Sequence, residues 1–301
     1  MPSVGSFGWI YDANNIAKVK SQLPIPNVQD VMGDIKPKAR PTSVYLWKLA
    51  EKLLNGNKLG GRNQRSVGSC VGFGGTGAYE LRSVVEIALL GDTEKYVDIA
   101  EEISYAGSRQ VAGISGSSDG SFGSAMAEFF QKYGAAQRGK YGKYDCTQYN
   151  ESTCRDLGRR ALPQDILDEC KKHPAKTVSQ VTRWDDAKNI LAKGGTIFIC
   201  SNRGFNSMRR DSYGRVKPGG SWPHCMYLAG YHEESNLDMG FIDNSWGDNA
   251  MSGPIGPGDG PLSGFYADGN VIENDILRVG DCWAIYDIEG HKQDYTIDFM
   301  Y

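Results

Sequence analysis

A chain of 301 residues, 40% hydrophobic and 23% charged, is long enough to bury one large core or two lobes, and its composition argues against coiled coil and disorder. Lys+Arg 33 against Asp+Glu 36 leaves a formal charge of -3, with no run of like charge long enough to draw a polyanion, so no nucleic acid and no membrane surface is expected as a partner. The opening Met1-Pro-Ser-Val-Gly-Ser-Phe-Gly-Trp has no basic stretch followed by an apolar one, and nowhere do about 18 apolar residues run together. The expectation is a cytoplasmic or virion-associated protein without export signal or membrane span.

The stretch up to Pro41 holds five of the twelve prolines and little periodicity, which predicts an extended arm laid over a folded body. Leu46, Leu49, Ala50, Leu53 and Leu54 then recur at helical spacing, with Pro41 suited to a first turn and Gly56 following the last periodic residue. A polar loop from Gly60 runs into Cys70, where a buried helix is expected to begin and to end at Gly91. Its glycines at 72, 74, 75 and 77 each weaken helix propensity by roughly 1 kcal/mol relative to Ala, so something must pack very close to it.

Met126, Phe129, Phe130 and Tyr133 fall at i, i+3, i+4 and i+7 before Gly134, the stripe of another core-facing helix. Pro163 opens a short helix through Cys170, and the signal of Ala187 to Lys193 stops at Gly194-Gly195. Beyond it the pattern becomes that of strands, at Thr196 to Cys200, His224 to Tyr231, Met239 to Asn244 and Cys282 to Ile288. Ala250 to Gly280 carries seven glycines and three prolines, which predicts a long ordered loop or insertion. Helices first and strands last give an α+β chain with a helical lobe and a sheet lobe meeting at a cleft. The expected organisation is an arm and helix packing on the body (1–60), a helical lobe (61–180) and a β-rich lobe (181–301).

Seven cysteines, at 70, 146, 154, 170, 200, 225 and 282, include no CxxC pair and no zinc-type spacing, so neither metal nor cofactor is implied. The odd count leaves at least one free thiol, and buried reduced thiols are the simpler expectation for the rest. Cys70 differs from the others in its place: a thiol becomes a strong nucleophile as thiolate, which the positive end of a helix and a nearby imidazolium both favour.

The segment Asn63-Gln-Arg-Ser-Val-Gly-Ser-Cys70 puts a glutamine six residues before that cysteine, with Gly68-Ser69 directly preceding it. Downstream stand Pro223-His224-Cys-Met-Tyr-Leu-Ala-Gly-Tyr231 and Asp243-Asn244-Ser-Trp-Gly247. Taken together and in this order, the three segments resemble the papain-like (C1) cysteine peptidases, whose His and Asn follow the cysteine by about 130 to 150 residues. Here His224 lies 224 − 70 = 154 residues on and Asn244 lies 244 − 70 = 174 on, somewhat late, as an insertion makes them.

The resemblance implies a two-lobed fold, helical on the left and antiparallel β on the right, and an endopeptidase acting on polypeptide substrates. It implies Cys70 as nucleophile, His224 as acid/base, Asn244 as the group orienting that imidazole, Gln64 as an oxyanion donor with the Cys70 N–H, and Trp246 as the shield over the His–Asn bond. It further implies that Gly113 to Gly120 lines the non-primed side of the cleft, which makes Gly68, Ser69, Asp119, Gly120 and Pro223 candidate substrate contacts.

Departures are as informative. Val67 stands where many relatives have a disulfide cysteine, Val71 where they have an aromatic residue, and the segment after Asn-Ser-Trp-Gly hardly resembles the better-known members. The family's long helical prosegment is expected to have no counterpart within the roughly sixty residues before Gln64; the short region with Gly8-Trp9-Ile10-Tyr11-Asp12 and Leu23-Pro24 looks like that of bacterial or phage-type relatives and is expected to pack on the body and partly cover the cleft.

Two other patterns point elsewhere. Gly72-Phe-Gly-Gly-Thr-Gly77 matches GxGxxG, but polar loop precedes it where a dinucleotide fold needs a strand. Gly134 to Tyr141 nearly spells a P-loop, with Tyr141 where Mg²⁺ chemistry wants Ser or Thr. His173, His232 and His291 have no partners at ligand spacing. The alternative from a different class is a papain-like fold retained as a non-catalytic structural or binding component of a viral or bacterial assembly; acyl transfer or amide hydrolysis through the same thiolate is the alternative within the enzymes.

Overall fold

The computed structural model describes residues 6–22, 40–90, 95–206 and 208–288. In chain order these form α1 (Ala13–Gln22), β1 (Ser43–Tyr45), α2 (Trp47–Leu53), α3 (Cys70–Leu90), α4 (Glu101–Ala112), α5 (Gly123–Lys132), the small hairpin β2 (Lys140–Tyr141) and β3 (Tyr144–Asp145), α6 (Glu151–Gly158) and α7 (Gln164–Cys170). Then follow β4 (Ala175–Gln180), α8 (Trp184–Ala192), β5 (Thr196–Phe205), β6 (Pro218–His232), β7 (Met239–Asp243), β8 (Phe265–Asp268) and β9 (Asp281–Ile288). Leu23-Pro24 and His291 lie outside the described residues.

Helix α3 is apolar around most of its circumference and buried along most of its length, as a helix without a polar face must be. Its glycines meet a different neighbour each. A Cβ would lie 2.7 Å from the Tyr105 side chain at Gly72, 2.8 Å from Cys225 Sγ at Gly74, 2.7 Å from Met126 at Gly75 and 2.4 Å from the Tyr227 ring at Gly77. The lost helix propensity is therefore exchanged for close approach of α4, α5 and β6 to one central helix.

The sheet runs β4-β9-β5-β6-β7-β8, with β1 added on β6, and every pairing is antiparallel. Strand β6 is its spine: it pairs with β5 from Ile197↔Leu228 to Phe205↔Pro218 and with β7 from Tyr227↔Asp243 to His232↔Met239. Two strands come from before the β-rich region, since β1 and β4 both join this sheet. Cys70 opens α3 where it approaches β6, so the start of the helix and the middle of the strand face one cleft.

Three expectations are corrected. The N-terminal arm is not extended throughout: residues 13–22 are helical, with Asp12 Oδ1 accepting from the N–H of Asn14 (2.9 Å) and Asn15 (3.1 Å) and only Ile16 and Val19 buried, too few apolar residues for periodicity to register. Pro41 begins no helix, because residues 43–45 pair with β6 (Val44↔Tyr231) and the helix starts at Trp47. The Gly- and Pro-rich stretch is not all loop; Phe265–Asp268 pairs with β7, and short helical turns follow from 269 to 279. Helices α4 and α6 had no readable apolar stripe. In α4 the buried positions include Glu101, Glu102 and Arg109, and Arg138 reaches both of those glutamates.

All seven cysteines are free and buried. Val67 packs with Cys154 and Tyr105. Among the described residues, no helix is long and apolar enough to cross a membrane.

Candidate active site

The loop before Cys70 is not free-standing. Its backbone is paired to the segment after β7: Gln64 N–H donates to Ser245 O (2.9 Å), Gly247 N–H donates to Arg62 O (2.8 Å), and Asn63 and Trp246 form an antiparallel bridge. The two short motifs, some 180 positions apart in sequence, are thus one local structure. Ser69 N–H donates to Val67 O (2.8 Å) and Phe73 N–H to Ser69 O (3.2 Å), which turns the chain into α3 with the Cys70 sulfur at its positive end.

His224 Nε2 lies 2.8 Å from Asn244 Oδ1, and both residues are buried. Asn244 Oδ1 also accepts from Ser245 N–H (2.8 Å), which fixes the carboxamide with its oxygen toward the ring. The ring therefore donates from Nε2, and Nδ1, which has no hydrogen-bond partner among the described residues, carries the lone pair in the neutral tautomer. The Trp246 ring lies over the imidazole at a centroid distance of 4.9 Å and an angle of 31°, with Trp222 against Trp246 at 4.8 Å. Water is kept from the His–Asn bond by this aromatic cover.

Gln64 is held as firmly. Its Oε1 accepts from Ser245 Oγ (2.6 Å), and its Nε2 donates to Val67 O (2.9 Å) and to Ser6 O (2.7 Å). The oxygen is thereby spent on the motif behind it, and the two amide hydrogens go to Val67 of the body and Ser6 of the arm. Behind the site, Tyr227 Oη donates to Asp243 Oδ2 (2.6 Å) and Ser263 Oγ to its Oδ1 (2.5 Å), anchoring the end of β7 just before Asn244.

What occupies the cleft is the chain's own arm. Gly8 and Trp9 N–H both donate to Pro223 O (3.2 and 3.1 Å), Ile10 N–H donates to Ser121 O (2.9 Å), and Ser121 N–H donates to Gly8 O (2.8 Å). The Phe7 ring stands edge-on to His224 (6.0 Å) and to Trp246 (5.9 Å). The Gly8 amide also faces the Cys70 sulfur, as do those of Cys225 and Val71. The arm lies so close that a Cβ on Gly8 would come within 1.8 Å of Gly68 O.

Of the other candidate contacts, Pro223 offers its carbonyl to the arm, Gly68 N–H donates to Asp119 Oδ2 (3.0 Å), and a Cβ on Gly120 would meet Gly8 O at 3.0 Å. Ser69 is placed differently: its hydroxyl is buried 3.3 Å from the Tyr149 hydroxyl. Sequence reasoning passed over Trp9, Trp222 and Asp281. Trp9 and Trp222 are single aromatics with no spacing rule behind them, and Asp281 shows its position only once β9 is paired with β5 at Cys200.

Enclosure sets the protonation of the pair. Burial pushes the Cys70 thiol up, with the nearby Cys225 thiol adding to the rise and the three amides opposing it. Burial lowers His224 to about 4, against the bond from Asn244, which raises it. Under the arm both changes favour neutral thiol and neutral imidazole over the ion pair. Among the described residues, no group of three or more His, Cys, Asp or Glu side chains converges as a metal site.

Comparison with solved structures agrees with this architecture over nearly the whole chain. Similar chains include xylellain, a cysteine protease from Xylella fastidiosa (17% identity, 95% of this chain and 94% of that one, TM-score 0.57). They also include procathepsin B S9 from Trypanosoma congolense (13%, 95% and 87%, 0.58) and the digestive procathepsin L2 of Tenebrio molitor larval midgut (18%, 93% and 77%, 0.54). The fold is that of the papain-like cysteine proteases. No protein-family model and no curated protein sequence matches the chain, and identities this low establish a papain-like fold without carrying over any one relative's activity.

Proposed function

We propose that this papain-like chain is a cysteine endopeptidase, of the kind with a short N-terminal arm, held latent by that arm. The observation that carries the reading is the buried His224–Asn244 pair, 2.8 Å apart beneath Trp246, beside a cysteine that opens a helix. A structural protein has no need to bury an imidazole with one nitrogen fixed and the other unpaired.

With the arm withdrawn, water reaches the pair, the burial terms relax, and the Cys70 thiolate is stabilised by the helix start and by protonated His224. The thiolate adds to the peptide carbonyl carbon, and the oxygen's charge is taken up by Gln64 Nε2–H and the Cys70 N–H. His224 gives the proton on Nδ1 to the leaving amine as the C–N bond breaks, leaving a thioester on Cys70. Neutral Nδ1 then takes a proton from water, whose oxygen attacks the thioester, and the carboxylic acid leaves as thiolate and imidazolium re-form. Asn244 holds the ring through Nε2 throughout.

The experiment is labelling with an epoxide that traps papain-type thiolates, mapped by mass spectrometry, before and after limited proteolysis within residues 6–40. Labelling at Cys70 that follows removal of the arm, with turnover of a peptide library, is the expected result. Labelling of other thiols while Cys70 stays intact with the arm gone refutes it and favours the non-catalytic reading.

A further inference from the structure

Four of the seven cysteines gather behind the site, and three of them form a row that starts at the nucleophile. Cys225 follows His224 directly, and its N–H faces the Cys70 sulfur. Its own Sγ packs on Gly74, where a Cβ would come within 2.8 Å of it. Gly74 is one turn along α3 from Cys70 on the same helix face, so Cys225 presents both its amide and its sulfur to the start of that helix.

Cys200 stands on the other side of Cys225, as its direct partner in β5. The Cys225 N–H is turned away from β5, toward Cys70, and Cys200 O is turned toward β9, where it accepts from the Cys282 thiol (3.8 Å). The opposed pair is therefore one without ladder hydrogen bonds between its members. In such pairs the Cα atoms are about 4.5 Å apart, within the span of about 4.4–6.8 Å that a disulfide bridges. Both side chains point to the helical side of the sheet, since a Cβ on Gly123 of α5 would lie 2.8 Å from Cys200 Sγ, and the two thiols are hydrogen-bonded to each other.

We propose that Cys225 and Cys200 form a thiol–disulfide site that rescues Cys70 from hydroperoxides, with Cys225 resolving the oxidised nucleophile and Cys200 releasing it again. The proposal takes from the endopeptidase reading only that Cys70 becomes a thiolate once the arm lifts. That thiolate attacks the distal oxygen of a hydroperoxide, the O–O bond breaks, and a sulfenic acid forms as an alkoxide leaves. Burial and the bond with Cys225 raise the Cys200 thiol above its ordinary value, so the oxidant reacts at Cys70 first. The Cys225 sulfur then attacks the sulfenic sulfur, and its proton departs with the hydroxyl as water, giving a Cys70–Cys225 disulfide. Cys200 attacks the Cys225 sulfur in turn. Cys70 leaves as a thiolate, the better leaving group because the helix start and His224 stabilise it, and the Cys200 proton neutralises the alkoxide of the first step. Two thiols and one hydroperoxide thus give one disulfide, one alcohol and one water, with Cys70 restored.

The test uses the full chain carrying Gly8→Ala, which lifts the arm, treated with hydrogen peroxide and mapped by mass spectrometry of unreduced peptides. The expected product is a Cys200–Cys225 disulfide with Cys70 free. Adding Cys200→Ala blocks the exchange and traps Cys70–Cys225. Adding Cys225→Ala leaves the sulfenic acid unresolved, and sulfinic and sulfonic acids at Cys70 accumulate at least about tenfold over the parent. Adding Cys70→Ala slows formation of Cys200–Cys225 by at least about tenfold. Equal overoxidation of Cys70 with and without Cys225, no mixed disulfide in Cys200→Ala, or Cys200–Cys225 formed as fast without Cys70 overturns the proposal. Should the substitutions at 200 and 225 prevent folding, Cys70→Ala decides alone, since it leaves the paired strands untouched. A papain-type epoxide applied in parallel separates the two readings. Cys70 that takes the epoxide and still gives one of the overturning results refutes this proposal alone, and Cys70 inert to epoxide and peroxide alike refutes both. The expected disulfides in protein that turns over no peptide leave the thiol site assigned and refute the peptidase.

Discussion

Gly8→Ala is the most direct perturbation of the latent state, because the space a methyl would need is already occupied by rigid atoms. The added Cβ would lie 1.8 Å from Gly68 O, 2.3 Å from its C and 2.8 Å from its Cα, all of them backbone. Gly68 cannot retreat cheaply: its N–H is bonded to Asp119 Oδ2 (3.0 Å), and the next residue, Ser69, is tied into the turn that leads to α3. The arm must lift instead. Overpacking of this kind costs about 1–3 kcal/mol, which lowers the ratio of closed to open arm roughly 5- to 150-fold. Alkylation of Cys70 by iodoacetamide at neutral pH, followed by mass spectrometry, is expected to accelerate by a similar factor, with thermal unfolding showing the body intact. A Gly8→Ala protein that is folded and reacts no faster than wild type refutes the claim that residues 6–10 bar the sulfur.

Three further outcomes follow from the same geometry. In arm-displaced protein, Gln64→Ala is expected to lower kcat on the order of 10²-fold with little change in KM, as loss of one oxyanion donor does; a change confined to KM argues for a binding role. Asn244→Ala leaves a buried ring N–H without its acceptor, so thermal and denaturant unfolding should show a loss of about 1–3 kcal/mol, and peptide turnover should fall by about 10² or more; unaltered turnover removes Asn244 from the mechanism. Acid should loosen the arm, because His224 is held at about 4 when enclosed, against an ordinary value of 6.5. An imidazole freed from the enclosure takes up a proton below that ordinary value while the enclosed one does not, so the closed state is fully favoured above it and loses ground as pH falls toward 4. A dipyridyl disulfide probe, which reacts with thiols in acid, should therefore label wild-type Cys70 faster at pH 5 than at pH 7 relative to a Gly8→Ala control, and a ratio that is flat or inverted counts against the enclosure.

Legibility in the sequence followed the kind of contact involved. The run of α3 from Cys70 to Leu90 could be read because a helix buried on all sides leaves a continuous apolar pattern, and its four glycines announced close neighbours that Tyr105, Cys225, Met126 and Tyr227 turn out to be. The long strands β5, β6 and β9 were legible for the same reason, with ends misjudged where polar residues such as Asn202 and Ser221 continue a ladder beyond the apolar run. Helix α4 was not legible, since Glu101 and Glu102 are buried through Arg62 and Arg138, partners that lie far off in the chain. At the site, residue types and order drew attention to Cys70, His224, Asn244 and Gln64. The depth of the arm in the cleft was not readable, because nothing in Ser6-Phe-Gly-Trp-Ile10 by itself says that Gly8 is glycine for the sake of Gly68.

The ladder joining residues 62–64 to 245–247 also bears on when the site can assemble during synthesis. A growing polypeptide displays its sulfur early, yet the carboxamide of Gln64 has no Ser245 to steady it, and the imidazole no Asn244, until residues 244 and 245 have emerged from the ribosome some 174 positions after Cys70. The nascent chain thus holds Cys70 without these partners until the segment after β7 is made, and by the time that segment docks, Ser6 to Ile10 have long been available to close over it.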